Sequence, residues 1–163
     1  MIGKAMQDAI NEQINKELYS SYLYLSMAAY FADQNLPGFA KWMHMQEGEE
    51  RGHAMKLYEF LVDRGGRVAL KPIAAPGSEW KSALEVFKQV AEHEAAVTAS
   101  IHNLYEAALK EKDLAAQVML HWFITEQVEE EKNAAEIVAQ LELVEARGTA
   151  VLMLDHRLGK RSE

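Results

Sequence analysis

The sequence predicts an all-α chain: a four-helix bundle with one long crossover between the second and third helices, and a short fifth helix near the C-terminus. Three observations lead there. Apolar residues recur at alternating three- and four-residue spacing through four long stretches, as in helices that each bury one face. The three prolines, Pro37, Pro72 and Pro76, all fall where that periodicity breaks. The joints between stretches are unequal, two short and one long. Short joints make antiparallel neighbours, and the long one can travel the length of the bundle.

The first helix spans about 5–33, with an inward stripe of Ile10, Ile14, Glu17, Ser21, Tyr24 and Ala28. Asn35-Leu36-Pro37-Gly38 is a turn and a restart, with proline in the first turn, where its missing N–H costs nothing. The second helix runs to about 64 and stops at Gly65-Gly66; its stripe is Phe39, Met43, Gln46, Glu50, His53, Leu57 and Phe60. Residues 65–78 hold three glycines and the other two prolines, so they read as the crossover. Ser78 is the expected cap of a third helix that ends near 110, with Leu84, Phe87, Ala91, Glu94, Thr98, Ile101 and Tyr105 inward. Asp113 is the expected cap of a fourth helix to about 142, carrying Ala116, Leu120, Phe123, Gln127, Glu130, Ala134, Ile137 and Leu141. Gly148 then introduces the apolar run Ala150 to Leu154, read as a short helix over about 147–158 before a polar tail. The chain 1–163 reads as one domain, its bundle occupying about 5–142.

Composition narrows the function. Of the 163 residues, 49% are hydrophobic and 26% charged, ordinary for a globular chain, and no apolar run approaches a membrane span. The opening MIGKAMQDAI lacks the apolar core and cleavage site of a secretory signal. The absence of cysteine excludes disulfides, thiolate chemistry and cysteine-held metal clusters, and is compatible with the cytoplasmic location expected here. A net charge of −8 argues against nucleic acid and points to cations as clients.

Every inward stripe is interrupted by a carboxylate close to its helix midpoint. Helices of about 29 residues are roughly 43 Å long, and side by side they bring their midpoints to one level. Glu17, Glu50, His53, Glu94 and Glu130 are therefore expected to converge inside the bundle, with Gln127 and Tyr24 beside them. Tyr24 lies two turns from Glu17, but helical side chains lean toward the N-terminus, which brings its hydroxyl to that layer. One carboxylate on a helical stripe ordinarily keeps its head in water, and a lone Glu-x-x-His such as Glu50 to His53 is weak evidence. Four interruptions at one level, on stripes with no lysine or arginine, are another matter. Unpaired carboxylates crowded together cost several kcal/mol each or stay protonated. Divalent cations resolve the conflict, and a set of four glutamates and one imidazole suits iron or manganese better than zinc.

These residues resemble the bacterial non-haem ferritins, a ferritin-like di-iron family, over nearly the whole chain. Glu17, Tyr24, Glu50-x-x-His53, Glu94, Gln127 and Glu130 match that family's ferroxidase centre. KELYSSYLYLSMAAYF and HWFITEQVEEE are similar to its corresponding segments. The resemblance implies that Glu17, Glu50 and His53 hold one iron, and that Glu50, Glu94 and Glu130 hold a second, Glu50 bridging. It implies that Tyr24 and Gln127 orient ligands or meet the oxygen species. It also implies a third iron position at Glu49, Glu126, Glu129 and Glu130, although Glu126 to Glu131 reads equally as a solvated acidic face. From the same likeness come a homo-oligomeric shell of 24 subunits, oxidation of Fe(II) by dioxygen or peroxide, and storage of a ferric oxide mineral. In the family a fifth helix like Ala150 to Leu154 gathers about a four-fold axis.

Haem-containing bacterioferritin is the nearest rival. It carries a second Glu-x-x-His on the fourth helix, where this chain has Gln127-Val128-Glu129-Glu130. Its haem-ligating methionine stands where this chain has Arg51. No haem is therefore expected, and the methionines read as core filler. Rubrerythrin-like peroxide reductases usually add a cysteine-ligated iron domain, which a chain without cysteine cannot build. A non-catalytic interaction bundle is a third possibility. Trp122 is expected to pack, and His93, beside Glu94 but about 100° around the helix, is expected at the surface. Gly48 and Gly52 lie mid-helix, for which close packing against another helix or subunit is the expected reason.

Overall fold

The computed structural model describes residues 1–144 and 148–161. Among them it shows five helices and no strand: α1 (Lys4–Asp33), α2 (Pro37–Asp63), α3 (Ala83–Lys110), α4 (Leu114–Leu143) and α5 (Gly148–Leu158). The expected start of the last helix at 147 lies outside the described residues. α1 pairs with α2 and α3 with α4, across short joints in which Asn35 and Lys112 adopt left-handed backbone. Pro37 occupies the first turn of α2.

Asp113 caps α4 by accepting the Ala116 N–H at 3.0 Å, and its two oxygens also receive the Arg64 guanidinium at 2.9 and 3.1 Å. That pairing pins the end of α2 to the start of α4. Gly65, at φ +69°, makes the left-handed turn that stops α2.

The cap of α3 corrects the sequence reading. Ser82, not Ser78, accepts the Glu85 N–H, so the helix starts at Ala83. The signal was present: Ser82-x-x-Glu85 has the spacing of a capping box, whereas Ser78 has Lys81 three residues on. The crossover is correspondingly longer and is laid along α1. Asn11 donates to the Arg67 carbonyl at 3.0 Å and accepts from the Ala69 N–H at 2.8 Å, Gln7 accepts from the Arg67 N–H at 2.9 Å, and Ser26 donates to the Gly77 carbonyl at 2.7 Å. These bonds carry the chain from one end of the bundle to the other.

All eight expected inward positions of α4 are buried. On α3 the buried face is rotated: Val86, Val90, Val97, Leu104 and Ala108 join Phe87, Glu94 and Ile101, while Leu84, Ala91, Thr98 and Tyr105 are half-buried. That helix has two adjacent apolar rows, and periodicity alone does not choose between them. Phe60 is likewise half-buried.

The core has two parts. One gathers Tyr24, Met27, Phe31, Phe39, Met43 and Phe87; the other gathers Met6, Ile10, Ile14, Leu57, Ile101, Leu120 and Phe123. Between their positions along the helices lie the buried polar residues Gln13, Glu17, Gln46, Glu50, His53, Glu94, Gln127 and Glu130. α5 packs on α2, where Asp155 Oδ1 accepts the Phe39 N–H at 2.8 Å, so one helix caps the start of another. Among the described residues no helix is long and apolar enough to cross a membrane.

Candidate metal centre

The polar layer is assembled by all four long helices. α1 supplies Glu17, whose Oε1 accepts from Gln13 Nε2 at 2.8 Å while its buried Oε2 has no hydrogen-bond partner. α2 supplies Glu50 and His53 from one face, with His53 Nδ1 3.6 Å from Glu50 Oε2. Glu50 is fully enclosed, and neither of its oxygens has a hydrogen-bond partner. One ligand atom from each of Glu17, Glu50 and His53 lies within 4.8 Å of the other two. A buried anionic oxygen without a donor is costly, and three of them beside an imidazole form a site that a cation would satisfy.

Glu94 from α3 and Glu130 from α4 enter the same layer but are held differently. The Tyr24 hydroxyl donates to Glu94 Oε1, and Gln127 Nε2 donates to Glu94 Oε2 at 3.1 Å. Gln46 Nε2 donates to Glu130 Oε2 at 2.9 Å. Glu50, Glu94 and Glu130 do not close to within the spacing of the first trio; among the described residues that trio is the one group of at least three acidic or histidine ligands so gathered. Nor does the set Glu49, Glu126, Glu129 and Glu130 come together. Glu126 is half-buried, Glu129 is exposed, and both oxygens of Glu49 are bound by Arg161.

The electrostatics follow from burial. Desolvation, then the charge of Glu50, holds the Glu17 carboxyl well above its ordinary range. Desolvation and the charge of Glu94 do the same to Glu50. Glu130 is raised to about 7 by burial and by Glu94, against the opposing hydrogen bond from Gln46. Burial, followed by Glu94, pushes the Tyr24 phenol well above its usual value, so it stays protonated and donates. The layer thus holds protons near neutrality that a divalent cation would displace.

Four further residues sharpen or correct the sequence reading. Trp122 packs edge-on against the His53 ring at 5.3 Å between centroids, with Lys56 Nζ 4.0 Å from its own ring centre. His93 is half-buried rather than wholly at the surface: Ser20 Oγ lies 2.7 Å from its Nε2, Tyr19 and Tyr24 flank its ring, and burial lowers its pKa. Gly48 and Gly52 are exposed, and an added methyl would meet nothing within 4 Å, so packing inside this chain does not explain them. Two polar residues bonded to this layer or to Glu49 were not singled out from sequence. Gln13, one turn before Glu17, could have been found by helical spacing. Arg161 could not, because it lies in a polar tail whose path no periodicity describes.

Residues 7–144 match the ferritin family, described as a ferritin-like domain. The chain is 42% identical over 161 residues to a bacterial non-heme ferritin of Bacteroides fragilis, covering 99% of this chain and 100% of the relative. It is 43% identical over 133 residues to one from Staphylococcus haemolyticus, covering 82% and 80%. Among solved structures, an open pore ferritin from the hyperthermophilic archaeon Archaeoglobus fulgidus superposes with a TM-score of 0.98 at 49% identity, over 99% of this chain and 100% of that one.

Proposed function

The chain belongs to the ferritin family, which supports a role in iron storage, and from that premise we propose that it is a ferroxidase whose substrate ions bind in the buried carboxylate layer. The observation that carries this reading is the group Glu17, Glu50 and His53, with three enclosed carboxylate oxygens lacking donors. In this reading they take the first Fe(II). Glu50 bridges to a second, completed by Glu94 and Glu130 once cation charge draws those carboxylates inward. Each Fe(II) gives one electron, so the pair reduces dioxygen to hydrogen peroxide with uptake of two protons. Peroxide can in turn accept two electrons from a further pair.

The protein's part is to hold and orient. Tyr24 and Gln127 fix the two oxygens of Glu94. Gln13 and Gln46 each occupy one oxygen of Glu17 and Glu130, leaving the other oxygen available to substrate. Carboxylates that carry protons near pH 7 release them as cations arrive. His53 adds one nitrogen donor, kept in orientation by Trp122 and Phe123.

The same reading takes 1–163 as one domain, assembled with copies of itself into a shell of 24 subunits that stores ferric oxide, in the cytoplasm and without haem. The test is anaerobic titration with Fe(II), followed by metal-resolved crystallography and by exposure to dioxygen. Two ions per chain at this layer, oxidised rapidly in wild type and not in Glu94→Ala, are expected. Fewer than two ions would overturn the mechanism.

A further inference from the structure

Arg161 lies three residues beyond the end of α5, yet its guanidinium reaches back to α2. Nη2 donates to both oxygens of Glu49, at 2.9 and 2.8 Å, and Nη1 donates to Gln46 Oε1. The guanidinium also lies over the Trp42 ring, 5.3 Å from its centre. Gln46 turns its other amide atom inward to Glu130 Oε2 at 2.9 Å. One chain of contacts therefore runs Glu49, Arg161, Gln46, Glu130, from a half-exposed carboxylate to the buried layer. The docking of α5 sets its position, through the Asp155 to Phe39 N–H bond and a 2.9 Å bond from Lys41 Nζ to the Gly159 carbonyl.

We propose that Arg161 is a stand-in cation: it occupies Glu49, keeps a third divalent ion from binding there, and through Gln46 couples arrival of that ion to the freedom of Glu130. The inference rests on the ferroxidase reading above. One guanidinium nitrogen shared between both carboxylate oxygens offsets their charge and covers the side from which a metal would chelate them, so an ion competes with Arg161 for Glu49. The pair is also partly solvated, with side chains 25% and 39% exposed, so it is weak enough for a dication to displace. Once displaced, Arg161 no longer anchors Gln46, which is then held only through Glu130. Because coupling is reciprocal, occupancy of the third position and reorientation of Glu130 favour one another.

The test is anaerobic calorimetric titration of the assembled protein with Fe(II). In Arg161→Gln the third ion should bind roughly tenfold more tightly than in wild type, the first ion should change little, and the second, which shares Glu130, should move with the third. A chain truncated after Lys160 should match it, and Arg161→Lys, which keeps the charge but loses the fork, should fall between. Unchanged or weaker third-ion binding in both Arg161→Gln and the truncated chain overturns the proposal. So does the absence of a third ion in every variant. If Arg161 only fastens α5, these variants would show faster proteolysis at the C-terminus with third-ion affinity unmoved, which also overturns it. Failure of wild type to bind two ions would instead sink the ferroxidase reading.

Discussion

His53 Nδ1 stands 3.6 Å from Glu50 Oε2, one helical turn along α2, and yet both oxygens of Glu50 lack a hydrogen-bond donor. The geometry places a ligand and a carboxylate on one face without letting them satisfy each other. Glu50→Gln tests this conflict. Burial already favours the neutral form of the Glu50 carboxyl, so an amide that never ionises should leave the ion-free protein at least as stable as wild type at pH 7, and increasingly more stable as pH rises. The same change should slow Fe(II) oxidation at least about a hundredfold, because the amide cannot bridge two cations. Thermal unfolding and stopped-flow absorbance report the two effects separately. A destabilised variant with wild-type oxidation would contradict both.

The acid–base balance of the layer gives a pH dependence of definite sign. Glu130 titrates at about 7 in the folded chain against an ordinary 4.5. Between those values the unfolded chain has lost the proton that the folded chain keeps. Stability of the ion-free protein therefore falls as pH rises through that interval, by about 3 kcal/mol from Glu130 alone. The raised values of Glu17 and Glu50 act in the same direction. Asp113, lowered by Arg64, has the opposite sign, but its contribution is lost only as pH falls below the usual aspartate range. Urea midpoints measured from pH 5 to 8 should decline without metal and flatten or reverse with saturating Mn(II). A midpoint that rises without metal over this interval would refute the assignment.

The fold was legible because its helices are long and their apolar rows regular. The bounds of α1, α2 and α4 agree with their periodicity to within a residue or so, and α4 buries every residue expected of it. The start of α3 was misplaced because two serines compete, and the box at Ser82-x-x-Glu85 decides between them. Convergence of Glu17, Glu50 and His53 was legible for the same reason as the fold: equal helices put their midpoints at one level. The orientation of Glu94 and Glu130 was not, since it depends on the amides of Gln127 and Gln46 and on the phenol of Tyr24. The tie of Glu49 to Arg161 joins residues 112 positions apart through a segment with no repeat. Only the docked position of α5 creates it.

Tyr24 separates orientation from binding. Its hydroxyl donates to Glu94 Oε1, and its ring, wholly buried, packs edge-on to Trp42. Tyr24→Phe keeps the ring and leaves that oxygen without its donor. The folded chain should lose about 1–2 kcal/mol, the cost of stranding a buried acceptor. Fe(II) stoichiometry should be retained, while the oxidation rate falls by about three- to thirtyfold as Glu94 loses its fixed orientation. Loss of an ion from the titration would show that Tyr24 does more than orient.

Gly48 and Gly52 lie inside α2 with open space around them. Alanine at either position should raise helix stability by about 0.5–1 kcal/mol. The informative comparison is between the chain and its assembly. If each substitution stabilises the dissociated chain but lowers the yield of assembled particles by size-exclusion light scattering, close approach by another subunit is the reason for glycine. Stabilisation of both forms would rule that reason out.

Gly38 presents the opposite case, and its effect reaches the metal layer. A Cβ at this position would stand 1.8 Å from the Asp155 carbonyl oxygen and 3.0 Å from Asp155 Cγ. Backbone cannot yield as a flexible side chain does, so Gly38→Ala forces α2 and α5 apart. The Phe39 N–H then loses Asp155, and the first turn of α2 loses its cap. Together these should cost about 1–3 kcal/mol or detach α5 outright. Detachment carries Arg161 away from Glu49 and Gln46. Gly38→Ala should therefore show two linked changes: faster proteolytic loss of the C-terminal segment, and tighter binding of a third divalent ion. Proteolysis followed by mass spectrometry, alongside anaerobic titration, measures both on one preparation. Detachment without the change in ion binding would mean that Arg161 exerts no hold on Glu49 in solution.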